Sequence, residues 1–312
     1  MKVTDVMGCV GSTIFLLIAS AWIPFIGSFF SLLTPLPFLY YTTKLGAHQG
    51  LKIVALTVLI IGLITKLAGY PQAIFFCLEF GLLGMIISEI YRRGFTFGST
   101  IFWGTGSMLL VGATILFLIG LSKKMGPIEL ILDYFQSNLR ETIAAYENMG
   151  WDQQKILQIQ EYSEVLTNVM AKVYPALLII GTGFMVWVNV VISRPLFHIG
   201  NLKYPDFGPM DQWHVHEFMI WGVIAAGFAL LLPISGMRLL AINALIVMLV
   251  IYVFHGLSIV LFFLNKYNIS PWIRFGIYFL IIFQQVFLVG LAIAGLFDQW
   301  IDFRKIQKKA EG

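Results

Sequence analysis

Long apolar stretches recur along this chain and decide most of what it can fold into. Val6–Trp22, Phe25–Tyr41, Leu51–Leu67, Ala73–Tyr91, Phe97–Leu121, Val173–Ile192, Phe218–Ile234, Leu239–Leu264 and Trp272–Phe297 all approach or reach the length of a membrane crossing, which takes about 20 predominantly apolar residues. A soluble core could not bury so much. Of 312 residues 59% are hydrophobic and 12% charged, against about 45–50% and about 25% in soluble domains. The reading is an all-α polytopic transmembrane bundle of about eight to nine spans, because a helix satisfies its own backbone within lipid. The second stretch is the weakest: Pro24 precedes it and Pro35 and Pro37 interrupt it, so it reads as short, kinked or re-entrant.

Polarity divides the chain into an N-terminal transmembrane bundle (1–121), an extramembrane insertion (122–172) and a C-terminal transmembrane bundle with a basic tail (173–312). Within the insertion, Gly126–Met170 holds seven acids against Arg140 and Lys155, a net charge of −5. Ile128, Ile131, Phe135, Leu139, Ile143 and Tyr146 recur at three- and four-residue steps, which is one face of a helix. Gly150 is placed to end that helix, and Asp152 to cap a second one running toward Tyr174 and Pro175. The insertion therefore reads as an acidic helical hairpin, either a connector or a docking surface. With nine spans most short-loop bases, Lys44, Lys52, Arg92 and Arg93 among them, fall on one side and mark it as cytoplasmic; the basic tail then falls on the other side with Lys66, Lys123, Lys124 and Arg238, so either the tail is an exception or the count is eight.

Motifs of familiar chemistry are missing. No GxxxxGK[ST], HExxH or GxSxG occurs, so the reading is not an enzyme, and any ATPase it works with is another chain. The net charge of +4 sits in short loops and the tail, as membrane topology requires, and does not form a nucleic-acid patch. Cys9 and Cys77 lie in apolar stretches and read as small buried hydrophobes, with no cofactor implied. His214, His216 and Glu217 lack a fourth ligand at a recognisable spacing and read as an interfacial cluster beside Trp213, with no metal assigned.

Polar groups inside apolar spans are the informative residues, since lipid makes them costly unless they pair or line a cavity. They are Glu79, Glu89, Asn189, Asn243, His255, Gln284, Gln285 and Asp298. Glu89 has ion-pair spacing to Arg92 and Arg93. Glu79 has no such neighbour in its own stretch. His255 and Ser258 share a helix face, and with Gln284 or Gln285 from the next span they could form a ligand pocket or a helix-to-helix clamp. Past the last span, Asp298 and Asp302 are four residues apart, with Trp300 suited to the headgroup layer and Arg304 following. This ending is an interfacial anchor or a partner-docking site.

The last third carries a resemblance. Tyr252, His255 and Gly256, then Gly295, Asp298, Trp300, Asp302, Phe303, Arg304 and Lys305, resemble the YybS-like family of bacterial multi-pass membrane proteins, a family of unknown function. Two departures stand out: His255-Gly256 where that family would show Gln-Gly, and His216 where a proline would follow Trp213. More distantly, the first spans and the long loop are similar to the substrate-binding subunits of energy-coupling-factor transporters. That likeness implies that Gly8 and Ser12 meet a coupling membrane protein, with a separate ATPase behind it. The resemblances imply a bacterial inner (cytoplasmic) membrane location. The expected function is a small-solute-binding component of a transport system; the alternative is a non-enzymatic scaffold for cell-envelope assembly.

Overall fold

The structure is a computed structural model that describes residues 2–23, 26–70 and 73–305. It is 84% helix, and there is no strand among the described residues. The helices are α1 (Val3–Trp22), α2 (Gly27–Leu33), α3 (Pro35–Leu45), α4 (Ala47–Leu67), α5 (Ala73–Arg92), α6 (Phe97–Lys123), α7 (Pro127–Asn148), α8 (Gln153–Ile199), α9 (Met219–Leu231), α10 (Ser235–Lys266), α11 (Pro271–Phe283) and α12 (Gln285–Ile301), with a 3-10 turn at Met210–Gln212 before α9.

Six of them, α1, α4, α5, α6, α8 and α10, are long and apolar enough to cross a membrane, and a seventh crossing results if α11 and α12 count as one. The difference from nine apolar stretches has physical causes. Phe25–Tyr41 is split by Pro35, which has no N–H to continue α2. Phe218–Ile234 yields only the 13 residues of α9. Trp272–Phe297 bends by 99° at Gln284, whose backbone is extended.

Contacts divide the chain into two compact units, Met1–Ile131 with Gly181–Asp206, and Leu132–Ile180 with Phe207–Gly312. In the first, α2 and α3 run back along α1. Gly27 at the start of α2 lies against the Ser20 carbonyl, where no Cβ would fit. At the other end Lys44 of α3 donates to buried Asp5 of α1 at 2.7 Å. The broken second stretch thus returns the chain to the level at which α1 began. Leu39, Ile53, Leu83 and Ile87, all fully buried, join α3, α4 and α5. Asn189 of α8 closes the break between α2 and α3 by donating to the Leu32 carbonyl at 2.8 Å.

The second unit contains most of the hairpin. Its turn is where the sequence places it, with Gly150 at a positive φ of 75° and Asp152 Oδ1 accepting from Gln154 N at 3.2 Å. The second helix does not stop at Pro175. Helix α8 continues for 47 residues, about 70 Å at about 1.5 Å per residue, far beyond the about 30 Å of a hydrocarbon core. Proline costs such a helix a backbone hydrogen bond and distorts the turn before it. Here Asn243 of α10 repairs the damage. Ala176 N donates to Asn243 Oδ1 at 2.8 Å, and Asn243 Nδ2 donates to the Lys172 carbonyl at 2.7 Å. These are the two ends of the rung that would ordinarily close between residues 176 and 172, so the amide is inserted into the helix ladder.

This insertion makes a two-site prediction. Asn243→Ala should lower stability by about 1–2 kcal/mol, the upper range for hydrogen bonds between membrane helices. In a Pro175→Ala background the same change should cost less than half as much, because α8 can then close its own rung. Thermal unfolding of the four proteins in detergent checks this.

Candidate functional site

A Cβ on Gly256 of α10 would fall on the Leu291 backbone of α12, and one on Gly295 of α12 would fall on the Tyr252 carbonyl. Two glycines therefore let α10 and α12 approach to backbone contact, as small residues do between helices in lipid. Beside this contact, side chains at neighbouring positions meet: His255 and Ser258 from α10 and Asp298 from α12.

The fourth member is Arg304. Helix α12 ends at Asp302, which has a left-handed backbone (φ 45°) and turns the chain back. Arg304 then enters the protein and is 7% exposed, while His255, Ser258 and Asp298 are 1%, 4% and 5% exposed. Asp298 Oδ2 accepts from Arg304 Nη2 at 2.9 Å, and Oδ1 accepts from Phe303 N at 2.9 Å. His255 Nε2 lies 3.1 Å from the same Oδ2 and 3.0 Å from Arg304 Nη2. One ring nitrogen cannot both donate to the carboxylate and accept from the guanidinium. Donation to Asp298 is the consistent choice. It leaves His255 Nδ1, which has no hydrogen bond among the described residues, as an idle acceptor and not a stranded N–H. Arg304 Nη1 reaches the Asp211 and Trp213 carbonyls and Ser258 Oγ at 2.9–3.0 Å. Ser258 Oγ in turn bonds the Met210 and Trp213 carbonyls at 3.0 and 2.8 Å.

The result is a buried Arg–Asp pair that pins the 3-10 turn and the segment after it onto α10 and α12. Charge pairing and hydrogen bonds together make burial of the ions tolerable. The serine, histidine and aspartate are not arranged as a nucleophile relay: Asp298 and Arg304 crowd the histidine nitrogen, and the serine hydroxyl is directed at backbone carbonyls. Further along, His216 Nδ1 accepts from Phe218 N at 3.2 Å beside the start of α9.

The other sequence candidates are dispersed. Gln284 and Gln285 are exposed at the bend between α11 and α12, and Gln285 stands 13 residues, or about 20 Å of helix, from Asp298. The structure does not bring them to His255, because the last stretch is not one straight helix. Glu79 is half-buried on α5 and, among the described residues, makes no hydrogen bond or ion pair. Gly8 faces Tyr41 of α3, whose hydroxyl occupies the space of a Cβ, and Ser12 Oγ donates to the Gly8 carbonyl at 2.6 Å. Both thus serve contacts within the chain. Of the tail residues, Trp300 is 61% exposed, whereas Asp298 and Arg304 are inside. The backbone reversal at Asp302 separates it from the helix face of Asp298. Sequence alone leaves Arg304 outside, because a helix-end arginine normally faces headgroups; only the reversal turns it in. Nor does it single out Asp5, whose partner Lys44 is 39 residues away.

A family described as predicted membrane protein (DUF2232) matches residues 12–299. The chain belongs to this family. The matched DUF2232 region takes in His255, Ser258, Asp298 and both contact glycines, and it stops short of Arg304. No curated protein and no solved structure matches the chain. For this DUF2232 protein the family and the structure agree on a multi-pass membrane protein.

The cluster makes its own prediction. Arg304→Gln should destabilise by about 3–5 kcal/mol, because it leaves a buried carboxylate without its cation. Combining it with Asp298→Asn should cost less than the sum of the single changes. Chemical denaturation in detergent, followed by helical signal, measures both.

Proposed function

We propose that the protein is a non-enzymatic membrane scaffold, in the bacterial inner membrane, that gathers partners for cell-envelope assembly. One observation carries the reading. Of the polar side chains that sequence alone would offer to a ligand, His255 Nε2 and Ser258 Oγ are taken up by Asp298, Arg304 and the carbonyls before α9, and Gln284 and Gln285 lie apart from them at the bend. Asn243 and Asn189 are likewise committed to carbonyls of neighbouring helices. The hairpin offers a partner a net charge of −5 and a second helix, α8, that is much longer than a hydrocarbon core is thick. The bacterial envelope setting rests on the resemblance of the last third to the YybS-like family.

A second reading is a small-solute-binding component of a transport system, working with a coupling membrane protein and a separate ATPase. Glu79 favours it. A carboxyl in an apolar helix with no hydrogen bond or ion pair among the described residues is the kind of group that lines solute and proton paths in membranes.

Gentle purification from native membranes, with mass spectrometry of the co-purifying chains, separates the two. The scaffold reading expects envelope-synthesis or division proteins, recovered equally well with Glu79→Gln and lost when the hairpin is altered. Recovery of an ATPase with a coupling membrane protein, together with solute binding that Glu79→Gln abolishes, would replace it with the transport reading.

A further inference from the structure

The hairpin has a cleft that the scaffold reading does not explain. Leu139, Arg140 and Ile143 of α7 face Glu164, Thr167 and Asn168 of α8 across a cavity of about 350 Å³. At the tip the hairpin is closed: Ile143 and Ile156 are buried, and the Tyr146 and Trp151 rings lie 4.5 Å apart. The cleft is therefore built on a fixed turn, with Leu139 and Ile143 as its apolar floor.

Its rim is acidic. Glu147 is one helical turn beyond Ile143 on the cleft face of α7, and Glu161 is one turn before Glu164 on α8. All three acids are exposed. Among the described residues Arg140 is the one base lining the cleft. Its contact with Asp133, at 4.0 Å with both side chains more than half exposed, is weak, so its charge counts against the three acids and leaves −2. A surface of this sign is repelled by anionic lipid headgroups, which attract basic segments, so a membrane surface is a poor occupant. A helix carrying lysine or arginine, with two apolar side chains three or four residues apart, fits both floor and rim.

Resting on the scaffold reading, we propose that the cleft between α7 and α8 docks a cationic amphipathic helix of a partner protein. The apolar side chains of that helix enter over Leu139 and Ile143, and its bases lie against Glu147, Glu161 and Glu164.

The test uses the full chain in its native membrane, with Asn168→p-benzoylphenylalanine as a photo-cross-linker in the cleft and sequencing of the attached peptide. The expected adduct is a segment of another protein with net positive charge and apolar residues at helical spacing. Adding Glu147→Gln, Glu161→Gln and Glu164→Gln should reduce its yield at least ten-fold without moving the thermal midpoint, while Glu141→Gln, off the cleft face, leaves the yield unchanged. Adducts confined to lipid, to a second copy of this chain or to neutral or acidic segments overturn the proposal, as does a yield indifferent to the three neutralised acids. If the same partners still co-purify under any of those results, the cleft is wrong and the scaffold stands. If no partner is recovered either, both fall.

Discussion

Hydrocarbon offers a backbone no water, so every peptide group inside it must find a partner within the protein. The path of this chain follows from that constraint. Its apolar stretches are rich in interruptions, and Pro35 and Pro175 would each leave backbone groups stranded. Two asparagines meet the need by different means. Asn189 donates to a carbonyl at the end of α2, and Asn243 places its whole amide between the Ala176 N–H and the Lys172 carbonyl. Asn243 uses both ends of its amide in this way, whereas Asn189 uses only its Nδ2 among the described residues; each also ties its helix to a particular point on another. The repair is also the helix-to-helix contact.

The Arg304–Asp298 pair applies the same logic with charge. Neither ion would be tolerated alone beside apolar helices. Together with His255, Ser258 and three carbonyls of the preceding loop they form a network in which most donors and acceptors are used. Glycines at 256 and 295 make it possible, since only backbone contact between α10 and α12 brings His255 and Asp298 within hydrogen-bond range. The geometry also fixes the fate of the chain after α12, because the left-handed turn at Asp302 carries Arg304 inward and holds it against the loop before α9.

This allocation of polar groups shapes the functional reading. Intramembrane side chains engaged with each other are not free to bind and release a solute. Glu79 stands apart from this network, with no hydrogen bond or ion pair among the described residues, and the acidic hairpin carries a second helix that runs without a break into the apolar stretch that follows. A contact made on the second helix of the hairpin is thus made on the same continuous helix that Asn243 holds at Pro175.

Much of this is legible in the sequence. The apolar stretches set the all-α membrane class, and periodicity with Gly150 and Asp152 sets the hairpin, because helix length, amphipathic spacing and turn chemistry are local properties. The resemblance in the last third points to His255, Gly256, Gly295, Asp298 and Arg304, though not to their meeting. What only the tertiary structure decides is partnership. Asp5 with Lys44, Asn189 with Leu32, Asn243 with the turn before Pro175 and Asp298 with Arg304 depend on how helices cross and where a chain reverses. The sequence names the polar groups that lipid would penalise; which other group relieves each penalty is settled by packing, and so is the difference between a ligand pocket and a clamp.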